Sequence, residues 1–383
     1  MSSPYTVRWG ILATGGIAET FTKDLLLDPS SRDVSDVKHI VVAAASSSSV
    51  DRAKQFLADC SCPSDAKAYG SYPELVKDPN VDIVYVATPH SHHYQNTMLC
   101  LLAGKHVLCE KAFTTNAAQA KKIIETAKEK KLFLMEAVWT RFFPMSIHIR
   151  KMIQDGELGD VHRVIADNSF GANVEERWGT QHRMVNMELA GGALLDLGIY
   201  SLTWVFQCIY HTLPPDSRKA PSVLGSISKY AKTGADEKTS MLLTFPAAPP
   251  APSKHDAHGI ALTNFRVATF PNKHELTRPA IRIQGTKGEI QVDGPAYRPR
   301  NWRFIPVGKG DGDVEWVEAK IPGHGMFWEA DECARCLRDG RSESEFLGWE
   351  ESVVIMETMD EVRRQNGQKY PEKIETLDYP VEL

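Results

Sequence analysis

Short apolar runs alternate with helix-length segments through the first third of this chain, and no other feature limits its fold as strongly. The runs are bounded by turn residues and cover residues 7–12, 40–45, 81–86, 106–109 and 132–135. The segments between them, such as 116–130, are long enough for helices. This rhythm predicts a parallel sheet with helices on both faces. Because ligands bind such sheets outside the carboxyl ends of the strands, functional residues are expected directly after each run.

The first run leads into the turn ATGGIA, residues 13–18, at the place of a dinucleotide-binding fingerprint, GxGxxG/A. Gly15 lets the backbone approach a pyrophosphate, and Ala18 is small enough for the next helix to pack on the strand. Ala13 replaces the first glycine. Such turns are common, so the motif alone is a weak signal, but its position in the first strand–helix unit favours a nucleotide. The predicted cofactor contacts here are Ala13, Thr14, Gly15, Gly16 and Ile17.

The second run ends in AAASSSSVDRAKQF. A site for NAD usually has Asp or Glu here to bind the ribose hydroxyls, whereas a carboxylate would repel the 2′-phosphate of NADP. Neutral hydroxyls and a nearby cation therefore favour NADP over NAD, with contacts from Ser47, Ser48 and Arg52. Serine also suits a polar loop and the N-cap of the next helix, and both interpretations can hold.

Three histidines follow the run at 81–86, in ATPHSHHYQNTM. An HxHH turn lacks the regularly spaced partners that usually complete a metal site, and no nearby carboxylate adds a ligand. We therefore predict no metal and assign this stretch to a wall of the nicotinamide pocket. The predicted contacts are Thr88, Pro89, His90 and His93.

The run at 106–109 ends in an acid and a base, Glu110 and Lys111. By the rule of strand ends, Lys111 should lie beside the nicotinamide, and both residues are predicted to contact the cofactor. The structural alternative is a solvated Glu–Lys pair that closes a strand.

The motif GGALLDLGIYSLTWVFQCIY begins at Gly191. The two glycines give the turn conformational freedom. A helix is predicted from Ala193 onward, so Asp196 and Tyr200, four residues apart, should project from one face. Two polar groups on an apolar helix would share one site. The structural alternative is a tyrosine ring in the core and an aspartate that complements the helix dipole.

A chain of 383 residues usually forms two domains. Its net charge of −5, without a dense basic block, gives no sign of a nucleic acid or membrane partner, and a small-molecule substrate is expected. Seven cysteines, an odd number, indicate reduced thiols, with Cys333 and Cys336 as buried core residues. Because the first residues lack a signal-peptide pattern, a cytoplasmic protein is expected.

The rest of the chain is predicted to form a second sheet followed by helices. Strands are predicted at 161–169, 223–230, 239–245, 265–270, 280–284 and 289–292, with an exposed loop at 245–259. Helices are predicted at 326–338 and 349–364, packing back on the first domain. The predicted domains are 1–137, which binds the dinucleotide, and 138–383, which binds substrate.

Three stretches together, ATPHSHHYQNTMLCLLAGKHVLCEKAFTTN, LMEAVWTRFFP and GGALLDLGIYSL, resemble the glucose-fructose oxidoreductase/inositol dehydrogenase family. Within it they are most similar to the branch of dimeric dihydrodiol dehydrogenases and fungal NADP-dependent D-xylose dehydrogenases. The resemblance implies an α/β chain with an N-terminal Rossmann domain and a C-terminal α/β domain. The second domain would have an open, mostly antiparallel sheet whose exposed face often makes a homodimer. Two positions depart from the family pattern, Ala13 for glycine and Ala112 for proline.

The resemblance also implies catalytic roles. Tyr200 stands where broader members often have histidine, and the reference pKa of tyrosine, about 10, is high for a base. A nearby Lys111 ammonium would lower that pKa. Tyr200 is then the general base, Lys111 polarises the substrate oxygen and Asp196 orients the sugar.

Further substrate contacts are expected from Trp139, Arg141 and Phe170, because sugars stack on aromatic rings and charged groups bind their hydroxyls. The alternative for these three residues is core packing, which for Phe170 is as good an explanation.

The function implied is NADP-dependent oxidation of D-xylose and related aldoses at the anomeric carbon, giving a lactone. One alternative is a trans-1,2-dihydrodiol dehydrogenase, which shares the Lys–Tyr pair. Another is a non-catalytic NADP- or sugar-binding regulator, against which the retention of Lys111 and Tyr200 argues.

Overall fold

A computed structural model describes residues 3–247, 255–270 and 279–383. The chain forms two compact units. Unit 1 comprises Met1–Phe142, Ile321–Val353 and Glu372–Leu383, and unit 2 comprises Phe143–Lys320 and Val354–Pro371. Unit 1 thus continues beyond the sequence-based boundary at 137 and includes two segments from the C-terminal part of the chain.

The strands are β1 (Tyr5–Leu12), β2 (Val37–Ala45), β3 (Lys67–Tyr69), β4 (Ile83–Val86), β5 (His106–Glu110), β6 (Leu134–Ala137), β7 (Val161–Asp167), β8 (Ser222–Lys229), β9 (Asp236–Phe245), β10 (Ala257–Asn264), β11 (Ile281–Gly285), β12 (Gly288–Val292), β13 (Asn301–Pro306) and β14 (Val317–Glu318). The α-helices are α1 (Gly16–Leu25), α2 (Val50–Asp59), α3 (Tyr72–Leu75), α4 (His90–Leu102), α5 (Ala117–Lys130), α6 (Pro144–Gln154), α7 (Val174–Arg177), α8 (Ile199–Ile209), α9 (Phe327–Arg338), α10 (Trp349–Gln365) and α11 (Glu372–Glu375).

Unit 1 is built on a six-stranded parallel sheet with the order β3-β2-β1-β4-β5-β6. This is the strand order of a Rossmann fold, in which the chain reverses direction across the sheet between β1 and β4. Every residue of β4 and β6 is buried, as expected of parallel strands covered on both faces. The predicted N-terminal fold is confirmed.

Two helices of unit 1, α2 and α5, begin where a polar side chain accepts a hydrogen bond from one of their first amide groups. Ser49 accepts a hydrogen bond from the Asp51 amide at the start of α2, and Asn116 accepts one from the Gln119 amide at the start of α5. α5 ends at Lys131, which adopts the left-handed conformation.

A buried polar chain holds α9 on the sheet of unit 1. The indole of Trp9 donates to Nδ1 of His39, and Nε2 of His39 lies 2.9 Å from Asp331. Arg32 donates two hydrogen bonds of 2.8 Å to the same carboxylate. Since the ring accepts from the indole, Nε2 carries the proton that faces Asp331. Cys333 and Cys336, on the same helix, are buried as predicted.

Unit 2 is built on an eight-stranded sheet with the order β14-β13-β12-β11-β7-β10-β9-β8. β7 and β10 are parallel, and the other neighbouring pairs are antiparallel. This matches the predicted mostly antiparallel sheet. α8 lies against β7 and β10, and all of its residues are buried.

One helical stretch, Met187–Ile209, is long and apolar enough to cross a membrane by length and composition, although no uninterrupted apolar run in the sequence approaches that length. Within it, 94% of the apolar window is buried inside the protein. Such burial is typical of a core helix.

One strand prediction in unit 2 was wrong. Residues 265–270 form bends with one isolated bridge, between Ala268 and Phe170, and the strand lies earlier, at β10. The predicted loop at 245–259 therefore ends inside β10, and its residues 248–254 lie outside the described part of the chain. β13 and β14 were not predicted, because their few apolar residues alternate too briefly to stand out.

Candidate active site

The turn after β1 is open on its outer side. Ala13 has a φ of 86°, in the left-handed region that favours glycine, so the alanine occupies the position where the fingerprint has its first glycine. A Cβ added at Gly15 or Gly16 would meet no atom within 4 Å. Gly15 caps α1 without a side-chain hydrogen bond, which leaves the helix N-terminus available to a phosphate. The turn therefore fits a dinucleotide.

Hydroxyl groups cluster at the end of β2. The hydroxyls of Ser46 and Ser48 lie 3.1 Å apart, and Ser47 forms a side-chain hydrogen bond with Tyr72, near which Arg52 also lies. Burial raises the pKa of Tyr72 above its usual value. Tyr72 was missed in the sequence because it follows a short strand, β3, far along the chain. Neutral hydroxyls and a guanidinium suit an adenosine ribose that carries a 2′-phosphate.

His93 is tied to two backbone carbonyls. Its Nδ1 lies 2.8 Å from the oxygen of Ala112, and its Nε2 lies 2.9 Å from the oxygen of Thr88. Burial lowers the pKa of His93 to about 4, so the neutral ring donates to one of these carbonyls. The ring therefore lies between the backbone that follows β4 and that which follows β5, and it donates to one of the two.

The neighbouring residues complete this part of the site. His90 begins α4 and packs edge-to-face with His93, Pro89 caps the helix, and the Thr88 hydroxyl accepts from Asn96. Among the described residues, no group of three or more His, Cys, Asp or Glu side chains could hold a metal ion.

Glu110 turns inward at the end of β5. Its carboxylate accepts hydrogen bonds from the Tyr85 hydroxyl and, at 3.1 Å, from the backbone amide of Lys111, and the residue is 4% exposed. The alternative of a solvated Glu–Lys pair is therefore wrong for Glu110. The peptide bond between Lys111 and Ala112 is cis, although alanine replaces the family's proline.

The residues after β6 have different surroundings from those predicted. Trp139 stacks on His324 at a centroid distance of 5.0 Å. Arg141 is fully buried and donates to the carbonyl of Phe346 and, at 2.5 Å, to Glu351. These contacts give Arg141 a structural role in unit 1, and its predicted contact with substrate gains no support from them.

In unit 2, Asp196 lies in a π-turn, Leu194–Gly198, that precedes α8. The amide of Ile199 donates to the carbonyl of Leu194, five residues earlier. The prediction of a regular helix from Ala193 was therefore wrong over these residues, and the spacing rule for an α-helix does not by itself place Asp196 and Tyr200. π-Turns of this kind are frequent at functional sites.

Asp196 forms an ion pair that sequence reasoning missed. Its Oδ1 lies 3.0 Å from Nη1 of Arg183, and the Arg183 side chain is 52% exposed, whereas that of Asp196 is 7% exposed. The carboxylate is thus held from one side by a partly solvated guanidinium. The sequence TQHRMVN around Arg183 has no periodicity that could have linked it to Asp196.

Three aromatic rings of unit 2 lie next to one another. The Tyr200 ring lies 5.8 Å from that of Tyr297, which lies 6.5 Å from that of Phe170. Phe170 is also partly buried against the cluster that contains Trp178 and Phe265. Core packing and an aromatic wall are thus both parts of its surroundings. Tyr297 was missed because it stands in a loop, PAYRPR, with no strand or helix pattern.

Two family models match the chain. One, described as "Oxidoreductase family, NAD-binding Rossmann fold", matches residues 7–138, and the other, "GFO/IDH/MocA C-terminal domain", matches residues 147–291. The D-xylose 1-dehydrogenase (NADP(+)) of Hypocrea jecorina is 59% identical over 98% of this chain and 96% of its own length. The chain belongs to the GFO/IDH/MocA oxidoreductase family. The family resemblance of the sequence motifs is thereby confirmed.

Two further similar proteins are more distant. The trans-1,2-dihydrobenzene-1,2-diol dehydrogenase of Macaca fuscata fuscata is 36% identical over 96% of this chain and 98% of its own length. A crystal structure of an NAD-binding oxidoreductase from Klebsiella pneumoniae superposes with a TM-score of 0.75 at 19% identity, covering 94% of this chain and 96% of that one. The likeness to this structure supports the fold.

Proposed function

We propose that this GFO/IDH/MocA protein is an NADP-dependent sugar dehydrogenase that oxidises D-xylose and related aldoses at the anomeric carbon. The observation that carries the proposal is the 59% identity, over nearly the whole chain, to a protein named for this reaction. The residues that the family resemblance assigns to catalysis are Lys111, Asp196 and Tyr200.

Unit 1 would bind the cofactor through the ends of four parallel strands. The turn after β1 offers open backbone for the pyrophosphate, and the hydroxyls after β2, with Arg52, suit the 2′-phosphate. Thr88, Pro89, His90 and His93, with Glu110 and Lys111, would line the nicotinamide end. When bound, NADP supplies the hydride acceptor for the carbon that is oxidised.

The residues of the chain handle the proton. Tyr200 takes the proton from the hydroxyl on the anomeric carbon as the C–H bond of that carbon breaks, and the product is a lactone. In the role that the family resemblance implies, the ammonium group of Lys111 stabilises the negative charge that develops on the substrate oxygen.

The remaining residues of the candidate site orient the substrate. Asp196, held by Arg183, accepts hydrogen bonds from sugar hydroxyls, since a carboxylate accepts at both oxygens. Phe170 and Tyr297 offer rings on which the C–H face of a pyranose can stack.

A trans-dihydrodiol dehydrogenase is the second candidate. Proteins with that name are 34–36% identical to this chain over 95–96% of it, which is well below the identity to the xylose enzyme. We further propose a cytoplasmic homodimer formed through the eight-stranded sheet, as the family resemblance implies. A monomeric mass in light scattering would contradict the dimer.

The proposed function is tested by following the absorbance of reduced nicotinamide. The purified protein is given NADP or NAD with D-xylose, D-glucose or a trans-dihydrodiol. We expect the highest kcat/KM with NADP and D-xylose, and little rate with Tyr200→Phe. Turnover of the dihydrodiol alone would replace the xylose assignment, and NADP binding without turnover of any substrate would favour a regulator.

A further inference from the structure

The π-turn that carries Asp196 is anchored by a carboxyl group from the neighbouring strand. Asp236, at the start of β9, accepts a hydrogen bond of 2.6 Å from the backbone amide of Leu194, the first residue of the turn. The hydroxyl of Thr239 donates to the same oxygen, Oδ2, at 3.2 Å. Asp236 is 1% exposed. The first amides of a helix have no acceptor inside the helix, so this carboxyl supplies one.

Asp236 also packs closely against Gly192, the glycine that precedes the turn. Gly192 has a φ of 147°, and a Cβ at this position would collide with Oδ1 of Asp236. Among the described residues, Oδ1 of Asp236 has no hydrogen-bond partner. The carboxyl therefore fits one backbone conformation at Gly192.

Leu194 is thereby fixed at both of its backbone polar groups. Its amide is bound by Asp236, and its carbonyl accepts the Ile199 amide that closes the π-turn. A π-turn contains one residue more per hydrogen-bonded ring than an α-turn and is rare without local support. If its first residue were released, the turn could relax toward an α-helix, which would rotate Asp196 relative to Tyr200.

We infer that Asp236 is a positioning residue for the reaction: by holding Leu194, it maintains the π-turn that aims the Asp196 carboxylate and the first turn of α8. It acts through Leu194 and does not itself need to contact substrate. The inference rests on the proposed function, because it assigns Asp196 and Tyr200 to substrate.

The experiment compares three variants with the wild type. Asp236→Ala removes the acceptor, Asp236→Asn keeps an oxygen that can accept from Leu194, and the control Thr239→Val removes only the second donor. For each, kcat and KM are measured with D-xylose and NADP, the Kd for NADPH by fluorescence, and backbone amide exchange of the peptide 192–200 by mass spectrometry.

We expect Asp236→Ala to lower kcat/KM by about 10²-fold, mostly through kcat, since small displacements of catalytic groups have effects of this size. Its Kd for NADPH should stay unchanged, and amide exchange should rise in 192–200. Asp236→Asn should recover most of the activity and protection, and Thr239→Val should stay close to the wild type.

Several outcomes would overturn the inference. Unchanged kcat and unchanged exchange in Asp236→Ala would do so, as would an Asp236→Asn protein that is impaired as much as the alanine variant. If Asp236→Ala does not fold, Asp236→Ser, whose hydroxyl is too short to reach Leu194, takes its place. If neither folds, Asp236 is a structural residue only. If the wild type does not oxidise D-xylose, the proposed function fails, and the exchange of 192–200 still tests the anchoring of the turn.

Discussion

The two sheets present their candidate functional residues in different ways. In unit 1 these residues follow the carboxyl ends of β1, β2, β4 and β5, which the parallel strand order brings to one edge. In unit 2 Asp196 and Tyr200 stand on a helix packed against the sheet, and their placement depends on a π-turn. A parallel sheet positions residues through its topology, whereas unit 2 relies on one local irregularity that its neighbours must hold.

Each unit also contains a buried carboxyl group that supports the segment beside its site. In unit 1, Glu136 accepts from the Phe113 amide at 3.0 Å and from the Ser352 hydroxyl at 2.8 Å. In unit 2, Asp236 accepts from Leu194. Burial raises the pKa of each carboxyl to about 7. In both units, then, a buried carboxyl group accepts a hydrogen bond from a backbone amide. In unit 2 that amide belongs to a π-turn.

The largest expected effect tests whether the unit 2 helix carries the base. Tyr200→Phe removes the hydroxyl and keeps the ring, so kcat with D-xylose should fall by about 10²- to 10⁴-fold. The Kd for NADPH should not change, because the predicted nucleotide contacts lie in unit 1. Stopped-flow and steady-state rates, with fluorescence titration of NADPH, give both values.

The matched control is Tyr210→Phe, at the other end of the same helix, which should retain wild-type kcat. If Tyr200→Phe kept more than a tenth of the wild-type kcat, the general base would have to be sought elsewhere.

The next effect concerns stability in unit 1. Arg141→Met leaves the buried Glu351 carboxylate without the guanidinium 2.5 Å away, and breaking such a pair costs about 3–5 kcal/mol of unfolding free energy. Urea denaturation measures this loss. Arg8→Met, which breaks a partly exposed pair with Asp82, should cost only about 0–1 kcal/mol.

A specific loss of sugar affinity in Arg141→Met, with little loss of stability, would instead support the predicted contact between Arg141 and substrate. The structural role of Arg141 would then be contradicted.

The sequence predicted unit 1 better than unit 2, for a physical reason. Residues of parallel strands are buried on both faces, so they appear as continuous apolar runs, and strand ends can be located from the sequence. The hydroxyls after β2 and the Glu110–Lys111 pair were found in this way. Arg141 was identified as a candidate because charged groups bind sugar hydroxyls, but its partner, Glu351, lies 210 residues later in the chain, and no local pattern indicates that pairing.

In unit 2 the prediction located Asp196 and Tyr200 but not the geometry that holds them. A π-turn has no sequence signature distinct from that of an α-helix, and Asp236 lies 42 residues after the amide that it binds. β10 was displaced in the prediction because alternating residues in AHGIALTN include glycine, which is unfavourable in strands. Long-range partners and local irregularities were therefore the parts that sequence periodicity could not supply.

The third prediction uses the raised pKa of Glu136. The folded state keeps its proton up to about pH 7, whereas in the unfolded chain the group ionises near pH 4.3. The stability from this group is therefore present at low pH and is lost as the pH rises through this window, by up to about 1.4 kcal/mol per pH unit. Glu136→Gln should remove this pH-dependent contribution to the free energy of unfolding.

Urea midpoints of the wild type and of Glu136→Gln between pH 4.5 and 7.5 give the difference directly. The stability of the wild type relative to the variant should fall as the pH rises. A flat difference for Glu136→Gln would mean that Glu136 is ionised throughout.

The smallest effect contrasts two turns that both have positive φ. Ala13 has a φ of 86°, and a left-handed alanine costs about 1–2 kcal/mol. Glycine would relieve this cost but would lose about 0.5–1 kcal/mol in chain entropy. Ala13→Gly should therefore stabilise the protein by about 0.5 kcal/mol, whereas Gly192→Ala should destabilise it strongly, because its Cβ meets Asp236.

Thermal unfolding of both variants tests the contrast, with Ala18→Gly, in the interior of α1, as a control that should destabilise by about 1 kcal/mol. If Ala13→Gly were as destabilising as that control, the turn of unit 1 would depend on the alanine side chain, and the contrast between an open turn in unit 1 and a filled one in unit 2 would be wrong.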